Sequence, residues 1–156
     1  MFLFLHIIAG CICLLTGLLA MISRKKKGIH SLAGEVYHWS FVVVFATSII
    51  MALLNWRESA YLFFIGIFSY SFALSGYIAA KRKKRNWIGA HIGGMLGSYI
   101  AIITAVIVVN APKLELLNDI PILLLWFLPT IIGSPLIFLT RRTYATRKKM
   151  PSSKNI

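Results

Sequence analysis

Residues 87–110 read Trp87-Ile88-Gly89-Ala90-His91-Ile92-Gly93-Gly94-Met95-Leu96-Gly97-Ser98-Tyr99-Ile100-Ala101, followed by Ile102-Ile103-Thr104-Ala105-Val106-Ile107-Val108-Val109-Asn110. These 24 residues contain no Asp, Glu, Lys or Arg. As an α-helix they rise about 36 Å, enough to cross a hydrocarbon layer of roughly 30 Å. Four further stretches of 21 or 22 residues have the same character: Phe2 to Ser23, Val36 to Trp56, Ala60 to Ala80 and Ile120 to Thr140. The composition agrees, with 58% hydrophobic and 13% charged residues and a mean hydropathy of +0.79. A water-soluble globule of 156 residues is excluded. The expected fold is all-α: a transmembrane helical bundle of five spans, forming a single domain over residues 1–140, with a basic tail over 141–156 whose end, Pro151 to Ile156, is expected to be disordered. The connections are short, so sequential helices should run antiparallel, and any chemistry must sit in the bundle or at its edge.

The formal net charge is +13, and its distribution decides what it means. Fifteen of the seventeen cations fall in Arg24 to Lys27, Lys81 to Arg85 and the tail from Arg141 to Lys154, after spans one, three and five. Arg57 and Lys113 are the two remaining cations and share their connections with Glu58, Glu115 and Asp119. Retention of Lys and Arg on the cytoplasmic side predicts a multi-pass chain with its N-terminus outside and its C-terminus in the cytoplasm. The expected partner of the basic belt is anionic lipid headgroups, not nucleic acid. Trp39, Trp56, Tyr61, Tyr77, Trp87 and Trp126 mostly lie near span ends, where amphipathic rings settle. Pro121, Pro129, Gly133 and Pro135 predict a bent fifth span.

Ile8-Ala9-Gly10-Cys11 has the look of a lipoprotein cleavage box, but the positive charge follows the apolar core at Arg24 rather than preceding it, so the first span is expected to be retained. Cys11 and Cys13 lie two positions apart, pointing about 200° from each other on a helix. They read as small hydrophobes rather than as a disulfide or a shared metal site.

Ionisable groups at bilayer depth are costly, which makes the histidines informative. His6 stands alone near the outer surface. His38 enters the second span about three residues from its start and His91 enters the fourth about five from its start, so the two rings are expected at similar depth. If the second helix begins earlier, near His30, then His30, Gly34 and His38 lie broadly along one stripe with Glu35 beside it. On the fourth span, Gly89, Gly93 and Gly97 form overlapping small-x-x-x-small steps that admit a close neighbour. Met95 shares the face of His91 and offers soft sulfur beside imidazole nitrogen, although such a methionine also serves as core filler.

His91, Met95, Ser98-Tyr99-Ile100-Ala101, Thr104-Ala105 and Val108-Val109-Asn110, with His30-x-x-x-Gly34 and the aromatic segment around His38, resemble a bacterial family of predicted multi-pass membrane proteins of unknown function. The resemblance implies a membrane location and a helical bundle, and transfers no activity. In layout alone the chain is also similar to the haem-bearing cores of membrane b-type cytochromes and ferric reductases, which pair histidines on different helices at one depth. With only His6 on the outer side, a two-haem relay is not expected.

Three functional readings follow. In the first, His38 and His91 are axial ligands of b-type haem, for electron transfer with a quinone or a respiratory complex, and Arg24 to Lys27 and Lys81 to Arg85 meet the propionates. In the second, His30, Glu35, His38 and His91, with Met95, hold zinc or copper for assembly or transport. In the third, the protein has no cofactor and acts as an accessory or transporter subunit, with Ser69, Tyr70, Ser71, Ser75, Ser98, Tyr99 and Thr104 lining a polar path or bonding between helices. A serine hydrolase is not expected, because the spans lack a base and its orienter. The sequence leaves open whether the protein is an enzyme.

Overall fold

The computed structural model describes residues 1–25, 28–117 and 119–149. Five helices account for most of them: α1 (Phe2–Ile22), α2 (Ile29–Leu54), α3 (Trp56–Arg82), α4 (Trp87–Asn110) and α5 (Ile122–Lys149). Two short 3₁₀ turns, Ala111–Lys113 and Glu115–Leu117, link α4 to α5. There is no strand among the described residues. All five helices are long and apolar enough to cross a membrane. The expected disorder of Pro151 to Ile156 falls outside the described residues.

The bounds of α4 coincide with those read from hydropathy, and α1 differs by one residue. α2 starts seven residues before the expected Val36, and α5 stays helical through Pro129 and Pro135 to Lys149. Hydropathy marks where side chains turn apolar, whereas a helix continues into the headgroup zone as long as its backbone is bonded. Within the spans, hydroxyls turn inward to their own helix: Thr16 donates to the Ile12 carbonyl, Ser71 to Phe68, Ser98 to Met95 and Thr104 to Ile100, at 2.6–2.9 Å. A hydroxyl satisfied in this way costs little in lipid.

The chain divides into two compact units, Met1–Leu74 and Ser75–Ile156, the boundary falling within α3. In the first unit, Ala9, Cys13 and Gly17 form a buried stripe of small residues along α1. Tyr37 of the neighbouring α2 is 2% exposed. The Cys13 thiol donates to the Tyr37 carbonyl at 3.6 Å. Cys13 is buried, Cys11 is exposed and neither is in a disulfide, as their angular separation predicts. Further along α2, Gly66 of α3 faces Ser48, Phe45 and Ile49, with the Ser48 hydroxyl 3.1 Å from where a Cβ would stand. These pairings run antiparallel.

In the second unit, Gly76 of α3 meets the backbone of α4. A Cβ on Gly76 would lie 2.7 Å from the Met95 nitrogen and 3.0 Å from the Gly94 carbonyl carbon. α4 buries Gly94, Ser98 and Ile102, while Gly133 of α5 receives the Ile100 side chain. Large apolar residues such as Phe4, Leu15, Phe64, Leu123 and Phe138 remain well exposed, as a lipid-facing surface requires.

The turn from α1 to α2 is tied at both ends. The Lys25 ammonium donates to the Ala20 and Met21 carbonyls at 2.8 and 2.6 Å, which satisfies terminal carbonyls of α1 and opposes the negative end of its dipole. Partial burial holds the Lys25 pKa below its ordinary value. α2 begins after Gly28, whose φ of 123° and ψ of −133° are accessible essentially to glycine alone. Replacing Gly28 with Ala is expected to destabilise the turn by about 1–3 kcal/mol, seen as a lower thermal midpoint of the purified protein in detergent.

Candidate functional site

Each histidine is held by a specific neighbour. His38 lies on α2, is 4% exposed and stacks on Tyr70 of α3 with ring centroids 6.2 Å apart and planes 27° from parallel. Tyr70 in turn stacks on Phe45 at 4.6 Å, so the imidazole rests on an aromatic shelf built by α2 and α3. The His38 ring also meets Trp39 edge-on, with centroids 5.7 Å apart.

His91 lies one turn into α4, and its Nδ1 stands 2.9 Å from the carbonyl oxygen of Gly76. A carbonyl can only accept, so this nitrogen carries the proton and the lone pair of the neutral ring is on Nε2. The bond exists because Gly76 has no side chain: its close approach to Gly94 and Met95 brings its carbonyl within reach one turn along α4. Met95 shares this seam, with its Cγ 3.0 Å from the position a Gly76 Cβ would take. The face shared by His91 and Met95 is therefore used in packing against α3.

His30 is turned elsewhere. Its Nδ1 donates to the Ala20 carbonyl of α1 at 2.8 Å, adding a cap to the same terminus that Lys25 serves. Glu35 is half-buried on α2. Among the described residues, no group of three or more His, Cys, Asp or Glu side chains comes close enough to hold a metal ion. In the first unit, His30, Glu35 and His38 thus do not form a three-ligand group. Eight residues of helix separate the two imidazoles by about 12 Å of rise and about 80° of turn, and this distance outweighs their shared stripe.

His6, expected to stand alone, is half-buried against α2, its Nδ1 3.0 Å from the Thr47 hydroxyl oxygen. The Thr47 hydroxyl already donates to the Val43 carbonyl at 2.7 Å, so His6 is the donor in the pair. The available signal was Thr47, with Ser48, in an otherwise apolar run; the pairing of Thr47 with His6 across 41 residues required the fold.

The arrangement provides a buried imidazole, His38, in the first unit, beside the half-buried His6 and His30, and a half-buried one, His91, in the second, each held by a neighbouring helix. The family comparison then defines the setting: residues 3–134 match the model described as "Predicted membrane protein (DUF2306)". The chain belongs to the DUF2306 family. This agrees with the resemblance carried by His91, Met95 and the residues that follow them, and establishes a multi-pass membrane protein whose lipid-facing helices contact the bilayer. No curated protein and no solved structure is matched by this DUF2306 chain.

The contact between Gly76 and α4 carries a direct consequence. Gly76→Val places carbon against the α4 backbone, which cannot yield as a flexible side chain would. A destabilisation of about 1–3 kcal/mol is expected, measured as a lower thermal midpoint, whereas Gly10→Ala, whose added Cβ meets nothing within 4 Å, should leave the midpoint nearly unchanged.

Proposed function

We propose that this DUF2306 protein binds b-type haem for electron transfer, with His38 and His91 as the axial ligands, in the cytoplasmic membrane of a bacterial cell with its basic ends facing the cytoplasm. The observation that carries this reading is the His91 Nδ1 contact with the Gly76 carbonyl at 2.9 Å. Iron-ligating histidines are commonly oriented by a bond of this kind from the other ring nitrogen, which fixes the tautomer and raises ligand basicity. His38 supports the same reading through its burial and its aromatic shelf, which restrict rotation of the ring and exclude water from it. The donor set is the neutral imidazole pair that b-type haem takes.

Bound haem would supply one-electron exchange at its iron. The protein's contribution is to hold each imidazole by contacts inside its own unit, keep water from His38, and provide a surrounding of low polarity that favours the less charged redox state. Arg24, Lys25 and the cations of Lys81 to Arg85 would supply positive charge to the carboxylates of a bound haem. The alternative in which His30, Glu35, His38 and His91, with Met95, hold zinc or copper is the less favoured reading, because the His30 ring already serves the end of α1.

Expression with added haem, purification and a reduced-minus-oxidised absorption spectrum test the proposal. Soret and α bands are expected in the unaltered protein. Each of His38→Ala and His91→Ala should lose most of the bound haem, and His30→Ala should retain it. Absence of the bands from the unaltered, folded protein overturns the reading.

A further inference from the structure

The second unit contains a cavity of about 420 Å³ lined by Asn86, Trp87, Ile88 and Gly89 at the start of α4 and by Phe138, Arg141, Arg142 and Tyr144 towards the end of α5. The haem reading makes no use of it. Its chemistry divides by position. Phe138 and Ile88 are apolar, Trp87 and Tyr144 are of the amphipathic type that settles at headgroup depth, and Arg141 and Arg142 follow directly on Thr140, where the apolar run of α5 ends. A molecule fitting this lining is apolar at one end and anionic at the other.

Arg141 is seated within this cavity. Its two terminal guanidinium nitrogens lie 3.5 and 3.8 Å from where Cβ atoms would stand on Gly89 and Gly93. Two glycines one turn apart leave a bare strip of α4, and the guanidinium lies along it. Asn86 flanks the strip, with its Oδ1 3.2 Å from the Gly89 Cβ position. The left-handed backbone of Asn86, with φ 62°, is a conformation that asparagine tolerates better than most residues. Holding the guanidinium in this way lowers the ordering cost of forming paired hydrogen bonds to an oxyanion.

Charge gives the sign of the ligand. The acidic residues of the chain are Glu35, Glu58, Glu115 and Asp119, and none lines the cavity. Arg141 and Arg142 both line the recess and are both exposed, so an anion can reach them, and guanidinium matches phosphate oxygens in a planar fork. Lys83 adds further positive charge at the same end of α4, with its ammonium 5.9 Å from the Trp87 ring.

We propose that this cavity is a binding site for the phosphodiester headgroup of an anionic glycerophospholipid, with Arg141 and Arg142 on the phosphate, Asn86 and Tyr144 on its polar substituent, and Phe138 and Ile88 against the upper acyl chain. This is a defined lipid site, distinct from diffuse attraction of the basic belt to a charged surface. It does not depend on haem.

The test is lipid retention by the full chain, measured by native mass spectrometry after reconstitution in vesicles of phosphatidylglycerol mixed with phosphatidylcholine and extraction into detergent. Preferential retention of phosphatidylglycerol is expected. The double variant Arg141→Gln with Arg142→Gln should lose it by about tenfold or more, the scale of losing a charge-assisted hydrogen bond. The charge-matched control Arg82→Gln with Lys84→Gln should change it less than about twofold. Gly89→Val keeps every charge and obstructs the Arg141 seat, so it should also lose selectivity; it guards against misreading a folding defect in the double variant, with size-exclusion profiles checked for each protein. Inorganic phosphate at millimolar concentration should not displace the lipid. Equal retention of both lipids, equal losses in the two double variants, or displacement by inorganic phosphate would each overturn the proposal, the last by assigning the recess to a free anion.

Discussion

Inside a bilayer no water is present to accept or donate a hydrogen bond, so every peptide group of a spanning segment has to be satisfied by protein. That constraint produces the five long helices, and it also governs the few polar side chains they carry. Hydroxyls of Thr16, Ser71, Ser98 and Thr104 return to carbonyls of their own helices. Histidines at positions 6, 30 and 91 spend a ring proton on an oxygen of a neighbouring helix. The prolines of α5 are the exception, because Pro129 and Pro135 each withdraw a donor from the ladder.

With so little polar surface to join helices, close packing has to do it, and small residues decide where it occurs. Ala9, Cys13 and Gly17 are the buried positions of α1, and Cys13 meets the Tyr37 carbonyl of α2; Gly76 lies on the α4 backbone; Gly133 admits Ile100. Packing and chemistry are therefore coupled in the second unit. The carbonyl that orients His91 is within reach only because Gly76 carries no side chain, and the guanidinium of Arg141 lies where Gly89 and Gly93 leave α4 uncovered. Glycine here sets the position of functional groups on other residues as well as the distance between helices.

Much of the fold was legible in the sequence because lipid imposes a one-dimensional rule: an apolar run of sufficient length is a helix. Residues 87–110 gave α4 with its observed bounds. The early start of α2 was less legible, since Ile29 to Glu35 mixes polar and apolar residues and its helicity depends on the turn at Gly28. The glycines of α4 were recognised as a contact face, but Gly94, outside the regular four-residue series, meets α3, while Gly89 and Gly93 accommodate an arginine. Histidine partners were the least legible part. His6 finds Thr47 and His30 finds Ala20 only when α1 and α2 fold back on each other, and no local spacing encodes that reversal.

The two cysteines give the chain a built-in reporter of the α1–α2 seam. Cys11 is exposed and Cys13 is buried and bonded to the Tyr37 carbonyl of α2, so a membrane-permeant alkylating reagent distinguishes them without any engineered label. Modification of the inner thiol requires the two helices to part, and its rate measures how often they do.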